Sequence, residues 1–167
     1  KTDINANGEL STDYVGYNFT WATNTYAGRE QLRAAHENYL RGLLYFYATS
    51  PNVPANLNAE AQSWGLAKDE FTDNAGWPWQ IYVREARRMV GDYVMTQMDC
   101  AGTRQAPDPV ALGSFGMDSH CVQHIVTDSG KVQNEGVIWR VPPRPYGISY
   151  RSIIPKRGEC ENLFSPI

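Results

Sequence analysis

Three arginines stand close together in the stretch GWPWQIYVREARRMVGDYVM: Arg84, Arg87 and Arg88. A guanidinium can hold a carboxylate or a phosphate through two parallel hydrogen bonds, so Arg84 and Arg88 are candidates for gripping a substrate. The same spacing is also that of a solvated helix face. There an Arg88–Asp92 pair would contribute only about 0.2–0.5 kcal/mol. The residues alone leave both interpretations open.

The segment MDSH, which ends at His120, is the second place where residue types suggest chemistry. An imidazole oriented by a neighbouring carboxylate is the usual arrangement of a general base, so His120 is a candidate proton acceptor and Asp118 its partner. His124 follows four residues later. In a straight strand the two imidazoles would lie about 13 Å apart, too far for one metal ion. We therefore predict no metal site.

Acidic residues also cluster in KDEFTDN, which contains Asp69, Glu70 and Asp73. Paired carboxylates can perform acid–base chemistry or bind calcium, but this spacing differs from that of the twelve-residue calcium loop. We interpret them as charge that favours the start of the following helix. No glycine-rich nucleotide-binding motif, nucleophile elbow or zinc-protease motif is present. The residues by themselves therefore give no complete catalytic set.

The elements that must position these residues begin with three predicted helices. Apolar residues recur at helical spacing over about Arg29–Ala48, with Thr25 as a plausible N-cap and SPNVP as the stop. A second helix is predicted from Ala55 to about Gly65. The third covers about Pro78–Met98 and carries the arginines.

Strand patterns dominate the second half of the chain. Residues Cys100–Gly116 are predicted to be a loop. A hairpin follows, with strands at Ser119–Val126 and Val132–Val141 around the turn TDSGK. A last short strand is predicted at Ile148–Pro155. Helices first and strands later favour an α+β fold, with three helices packed on a small, mainly antiparallel sheet.

Composition limits the function further. The chain has 167 residues, enough for one domain with a core, and 42% of them are hydrophobic. A net charge of −3 lacks the basic excess of a nucleic-acid-binding surface. No stretch approaches the roughly 20 apolar residues of a membrane span. Cys100, Cys121 and Cys160 are too widely spaced for a zinc motif, and no disulfide can be assigned.

Several stretches together resemble the central part of a family of bacterial FAD-dependent oxidoreductases, some of which carry the label xanthan lyase. They are KTDINANGELSTDYVG, WGLAKDEF, YVREARRMVGDYVMT, DPVALGSFGMDSHCVQ and YGISYRSIIPKRGECENLF, and they span nearly the whole chain. In that family a glycine-rich flavin-binding segment lies upstream and a second flavin-contacting segment lies downstream. Neither pattern occurs in this sequence. We therefore expect residues 1–167 to be one substrate-side, cap-like domain of a longer two-domain flavoenzyme.

The resemblance implies FAD as the cofactor of the longer protein, a flavin-binding domain of the same protein as partner, and little FAD binding or activity by this chain alone. It implies a small-molecule or carbohydrate substrate, oxidised by hydride transfer to flavin. His120 is then the candidate base, and Arg84, Arg88 and Asp118 are candidates for substrate binding. Tyr150, Arg151 and Lys156, in YRSIIPK, are candidates for lying near the cofactor. The compartment stays open, with a periplasmic or secreted location as one alternative.

Two other classes of function remain open. The aromatic residues Trp64, Trp77, Trp79, Tyr82 and Trp139 could stack on sugar rings, as in a carbohydrate-binding module. A row of exposed aromatic rings would favour that class, and buried tryptophans would count against it. A polysaccharide lyase would need a Tyr or His base beside a group that neutralises a uronate. Tyrosines and arginines are plentiful, but no spacing singles out such a set.

Overall fold

The computed structural model describes residues 10–83 and 89–158. The chain separates into two compact units, which are described separately below: Lys1–Ala86 with Gln123–Gln133, and Arg87–Val122 with Asn134–Ile167. The described residues contain three α-helices and three two-stranded sheets. The predicted α+β class is confirmed. That the two units act as one substrate-side domain stays a prediction.

Two helices dominate the first unit, and both were predicted. Helix α1 covers Tyr26–Thr49 and helix α2 covers Ala55–Ser63. Thr25 is the N-cap of α1, as predicted, because its hydroxyl accepts a hydrogen bond of 3.1 Å from the backbone N–H of Gly28. Such a cap satisfies one of the four N–H groups that a helix start leaves without a partner.

The loop before α1 is held against the helix by a stack of aromatic rings. The ring of Tyr14 lies between those of Tyr17 and Tyr39, with centroid distances of 3.8 and 4.3 Å. The Tyr39 hydroxyl donates a 2.6 Å hydrogen bond to the backbone carbonyl of Ser11, whose side chain is buried. The hydrogen bond to Tyr17 and partial burial raise the pKa of Tyr14 to about 12. These contacts fix the residues that lead into α1.

The third helix is not where the sequence predicted it. Residues 78–83 and 89–96 are not helical, and Arg84, Arg87 and Arg88 lie outside the described residues. Helix α3 is the short segment Gln97–Cys100. The reason is tertiary hydrogen bonding. The carbonyl of Val90 accepts from the N–H of Lys156 at 2.7 Å, and the N–H of Tyr93 donates to Arg151 at 3.4 Å. These backbone groups are thus bound to a distant segment instead of to a neighbouring helical turn.

The second unit contains a strand that the sequence analysis missed. Strand β1, Pro109–Gly113, lies in the predicted loop and pairs antiparallel with β6, Tyr146–Ser149. Val110 and Leu112 on β1 are both exposed. In the sequence, the apolar run between Pro109 and Gly113 has only three residues, too few for a recognisable strand pattern. The final strand, predicted at Ile148–Pro155, is Tyr146–Ser149 in the structure. A 3₁₀ turn follows it from Tyr150.

Small residues allow β1 and β6 to approach closely. Gly113 lies opposite Tyr146, and a Cβ atom at Gly113 would come within 2.6 Å of the tyrosine ring. A Cβ atom at Gly147 would come within 2.8 Å of Pro109. Both distances are shorter than real carbon contacts, so only glycine fits at these two positions.

The hairpin around TDSGK is confirmed, but its strands are interrupted. In the second unit β2, Met117–Ser119, pairs antiparallel with β5, Ile138–Arg140. Towards the turn, β3, Gln123–Val126, pairs with β4, Val132–Glu135. The interruption at residues 120–122 includes His120, which therefore follows β2 directly and lies outside a regular strand.

Gly136 shapes the interruption on the opposite strand. Its φ is +92°, a conformation that residues with a side chain rarely adopt. A Cβ atom there would also lie 2.5 Å from the Cγ2 atom of Val122. The hydroxyl of Ser119 donates a hydrogen bond to the carbonyl of Gly136. A glycine at position 136 is therefore required for the backbone conformation found opposite residues 120–122.

We predict that Gly136→Ala destabilises the protein more than Gly130→Ala. Gly130 in the turn has φ +75°, and a Cβ atom there would meet no other atom within 4 Å, so its replacement costs only the backbone strain of about 1–2 kcal/mol. Gly136→Ala adds overpacking against Val122, which typically costs about 1–3 kcal/mol more. Urea unfolding of both variants measures the difference. Equal losses would contradict the close packing at Gly136.

Candidate functional site

Asp118 and His120 lie together where β2 ends. Asp118 is held in register opposite Trp139 of β5. Its Oδ2 atom is 3.5 Å from the Nε2 atom of His120. The exposed fraction is 43% for the carboxylate side chain and 19% for the imidazole, so the pair is reachable from solvent. The hydroxyl of Ser119, which lies between them in the sequence, instead donates a hydrogen bond to the carbonyl of Gly136.

This pair has the elements of a general base. A carboxylate beside one ring nitrogen orients the imidazole and stabilises the imidazolium that forms when the other nitrogen takes a proton. Nε2 is the ring nitrogen that faces Asp118. The structure brings together the two residues of MDSH that the sequence analysis singled out. Their catalytic and binding roles remain predictions.

The candidates for cofactor contact lie around the 3₁₀ turn Tyr150–Ser152. The Nε atom of Arg151 donates to Oδ1 of Asp108 at 3.1 Å, and the buried hydroxyl of Ser149 donates to the same oxygen at 3.1 Å. Asp108 has φ +44°, and its carbonyl accepts from the N–H of Tyr150 at 3.0 Å. A strained aspartate thus fixes the direction of Arg151.

The other two candidates near the cofactor are placed less tightly by side-chain contacts. The side chain of Tyr150 is 49% exposed. Lys156 is anchored through its backbone N–H, which donates to Val90. Arg84 and Arg88, the arginines proposed for the substrate, lie outside the described residues. The role of all four residues stays a prediction.

The sequence analysis missed the strongest polar cluster, which surrounds Asp99. This carboxylate is buried, with 1% of its side chain exposed. It accepts hydrogen bonds from the Tyr93 hydroxyl at 2.5 Å and from the Thr96 N–H at 2.8 Å. Arg104 donates from Nε at 2.8 Å and from Nη2 at 2.5 Å. The two-pronged geometry is the one expected of a strong arginine–carboxylate pair.

The cluster changes the protonation of its members. The hydrogen bonds from Arg104 hold the pKa of Asp99 well below its usual range, with further help from Tyr93 and Thr96, although burial alone would raise it. Burial raises the pKa of Tyr93, and its hydrogen bond to Asp99 adds to this effect. A signal existed in the sequence, since Thr96 and Asp99 form a capping box. The overlong helix predicted to Met98 concealed it.

We predict that Asp99→Asn lowers the free energy of unfolding at neutral pH. We also predict that this free energy then falls less as the pH is lowered. The folded-state pKa lies below the unfolded value of about 4, so the carboxylate stabilises the fold fully above that pH and progressively less below it. At neutral pH the substitution should cost about 1–3 kcal/mol. Between about pH 4 and pH 2 the variant should lose less additional stability than the unmodified protein.

Unfolding by urea at several pH values measures this effect. Asp69→Asn is the matched control, because it removes an exposed carboxylate that has no hydrogen bond or ion pair with other described residues. The role of Asp99 would be contradicted if both variants showed the same pH dependence as the unmodified protein.

Comparison with known proteins establishes the family. The model of the FAD dependent oxidoreductase family matches residues 1–167, the whole chain. The chain therefore belongs to the FAD dependent oxidoreductase family. No curated protein and no solved structure matches it.

The described residues do not themselves form the usual binding site for the pyrophosphate of FAD. That site is a glycine-rich turn that leads from a strand into the N-terminus of a helix. In the described part of the chain, α1, α2 and α3 begin after Thr25, Pro54 and Thr96, without such a turn. Membership of the family implies that FAD is the cofactor of the family. It does not show that these residues bind FAD.

Two further properties concern the same described ranges, 10–83 and 89–158. No helix there is long and apolar enough to cross a membrane. No group of three or more His, Cys, Asp and Glu side chains there could hold a metal ion.

Proposed function

We propose that this chain forms the substrate side of an FAD-dependent oxidoreductase that acts on a carbohydrate or a related polyhydroxylated compound. Membership of the family supports the oxidoreductase class. The observation that carries the proposal is the 3.5 Å approach of Asp118 to His120 at an exposed site. An alcohol substrate must lose a hydroxyl proton, and this pair is suited to take it.

The proposed division of labour follows from the redox balance. Oxidation of an alcohol to a carbonyl removes one proton and one hydride, and FAD bound by the flavin-binding domain of the longer protein would supply the hydride acceptor. His120 takes the proton. Asp118 keeps the ring oriented and balances the charge of the imidazolium. The substrate leaves as the carbonyl compound, and His120 must release its proton before the next turnover.

The remaining candidates complete this proposal. Arg84 and Arg88 would hold hydroxyl or anionic groups of the substrate. Tyr150, Arg151 and Lys156 would lie near the cofactor, and the flavin-binding domain of the same protein would be the partner. The Asp108–Arg151 contact supports the part given to Arg151, because a guanidinium fixed in advance loses less entropy when it binds.

We predict that His120→Gln lowers the rate of substrate oxidation about 10²–10⁴-fold in the FAD-loaded protein, the range expected for loss of a general base. Asp118→Asn should lower it by less, since His120 remains. The measurement is the rate of flavin bleaching by substrate in the absence of oxygen, for candidate sugars and sugar alcohols.

His124→Gln is the matched control, because His124 is an exposed histidine on β3, four residues further along the chain. It should oxidise substrate at the unmodified rate. A His120→Gln protein that bleaches its flavin as fast as the unmodified protein would remove His120 from the mechanism.

Exposed aromatic rings in the first unit favour a second candidate function, carbohydrate binding. Trp64, Trp79 and Tyr82 are 67%, 52% and 73% exposed. Trp77 is less exposed, and the guanidinium of Arg41 lies 4.5 Å from its ring centroid. Exposed indole and phenol rings can stack on the apolar faces of sugars.

We predict that these rings of the first unit bind carbohydrate chains. Trp64→Ala and Trp79→Ala should each weaken binding by about 1–2 kcal/mol, comparable to other aromatic contacts. Affinity electrophoresis in gels that contain a neutral or an acidic polysaccharide measures the effect. Phe19→Ala, at an exposed ring outside this set, is the control. Equal migration of all variants in every gel would rule out this second function.

A further inference from the structure

The second unit contains a pocket of about 240 Å³ that borders the Asp99 cluster and is separate from the pair Asp118–His120. One wall comes from α3 and the loop after it, including Cys100, Gly102 and Arg104. The opposite wall comes from the start of β6 and the residues before it, including Arg144 and Tyr146. Polar and apolar groups therefore face one small space.

The charges around the pocket do not cancel. Asp99 and Arg104 both contribute to the lining, but each neutralises the other through the two-pronged contact. Arg104 also donates from Nη2 to the carbonyl of Val94 at 3.1 Å. Arg144 is the second lining arginine, and within residues 10–83 and 89–158 it has no carboxylate partner. The pocket thus carries one uncompensated positive charge.

The guanidinium of Arg144 lies beside the backbone of Gly102. Gly102 has φ +76°, and a Cβ atom there would lie 3.5 Å from the Nε atom of Arg144, an ordinary contact distance. The N–H of Gly102 donates to the backbone carbonyl of Asp99 at 3.1 Å, which fixes the loop at this point. The end of α3 thus positions the backbone that lies beside the Arg144 guanidinium.

Tyr146 supplies a hydrogen-bond donor on the same side. Its ring is fixed by Gly113 across the β1–β6 pair. Burial, together with the charge and hydrogen bond of the neighbouring Cys100, raises the pKa of Tyr146. To hold a ligand, the phenol would exchange its hydrogen bond with Cys100 for one to an acceptor in the pocket. A tyrosine hydroxyl beside a guanidinium is a donor pair suited to an oxyanion.

We propose that this pocket binds a small molecule through an oxyanion, a carboxylate or a phosphate, which Arg144 and Tyr146 hold. Ala106, Leu112 and Pro145 add apolar surface to the lining, which suits the organic part of such a molecule. The proposal is independent of the oxidoreductase activity and of the pair Asp118–His120.

The volume restricts the size of the ligand. It lies just below the range of about 300–1,000 Å³ that drug-sized ligands occupy. One sugar ring with a carboxylate, or a phosphate with a short organic group, fits such a space, whereas a dinucleotide does not. The two sources of the anion, an acidic sugar or a phosphate, share the same recognition chemistry and must be separated by experiment.

The test is isothermal titration of the protein, without substrate turnover, with sodium glucuronate, inorganic phosphate and neutral glucose at one constant ionic strength. We expect glucuronate or phosphate to bind at millimolar concentration or more tightly, and glucose at least tenfold more weakly. Preference for glucuronate would identify an acidic sugar, and preference for phosphate a phosphorylated ligand. Equal binding of glucose, or no binding of either anion, would overturn the proposal.

Variants locate the binding site. Arg144→Ala should weaken binding of the preferred anion at least tenfold, and Tyr146→Phe, which removes only the hydroxyl, severalfold. Arg140→Ala is the matched control, since Arg140 is an exposed arginine of the same unit outside the pocket lining. If Arg144→Ala binds as well as the unmodified protein, or Arg140→Ala loses as much, the proposal fails. Arg144→Lys keeps the charge and shows whether any loss comes from misfolding.

Discussion

The second unit depends on one buried carboxylate, that of Asp99. A charge removed from water is tolerated only if it is paired and fully hydrogen-bonded, and Asp99 meets both conditions. Its partners come from before α3, at Tyr93 and Thr96, and from the loop after it, at Arg104. One side chain thus joins segments that have little regular secondary structure of their own. The same pairing leaves the charge of Arg144 uncompensated.

The first unit is stabilised by different interactions. Arg33 on α1 pairs with Glu30 and Glu37, and Arg41 pairs with Glu37, with all of these side chains at least partly exposed. Pairs that solvent reaches contribute little, because water and salt screen them. The aromatic stack around Tyr14 and the cap at Thr25 do more to determine where α1 begins. Local signals are therefore stronger in this half of the chain.

This difference explains which parts could be predicted. Helix α1 has a cap at Thr25 and helical periodicity, α2 follows the stop signal SPNVP, and the turn TDSGK indicates its hairpin, so all three were found from the sequence. Strand β1 was not predicted because its apolar run is only three residues long and lies between Pro109 and Gly113, which indicate turns. The third helix was misplaced because Val90 and Tyr93 bond to residues about 60 positions away, which no local pattern reveals.

The candidate sites follow the same rule. Asp118 and His120 are two residues apart, so their approach could be anticipated from MDSH. Asp99 and Arg104 are also near each other in sequence, but their pairing depends on a loop whose course only the structure shows. Arg144 is remote from both, and the pocket that it shares with Gly102 is a product of tertiary packing. Short-range pairs were predictable, and long-range ones were not.

The contact between Gly113 and Tyr146 has a consequence for how the pocket could diversify. The ring of Tyr146, which forms part of the pocket wall, occupies space that a side chain at Gly113 on the neighbouring strand would fill. A single added methyl group at Gly113, a residue outside the pocket lining, would have to displace the phenol ring of Tyr146. Ligand preference could thus change through a residue behind the wall, so a relative with identical lining residues need not accept the same molecule.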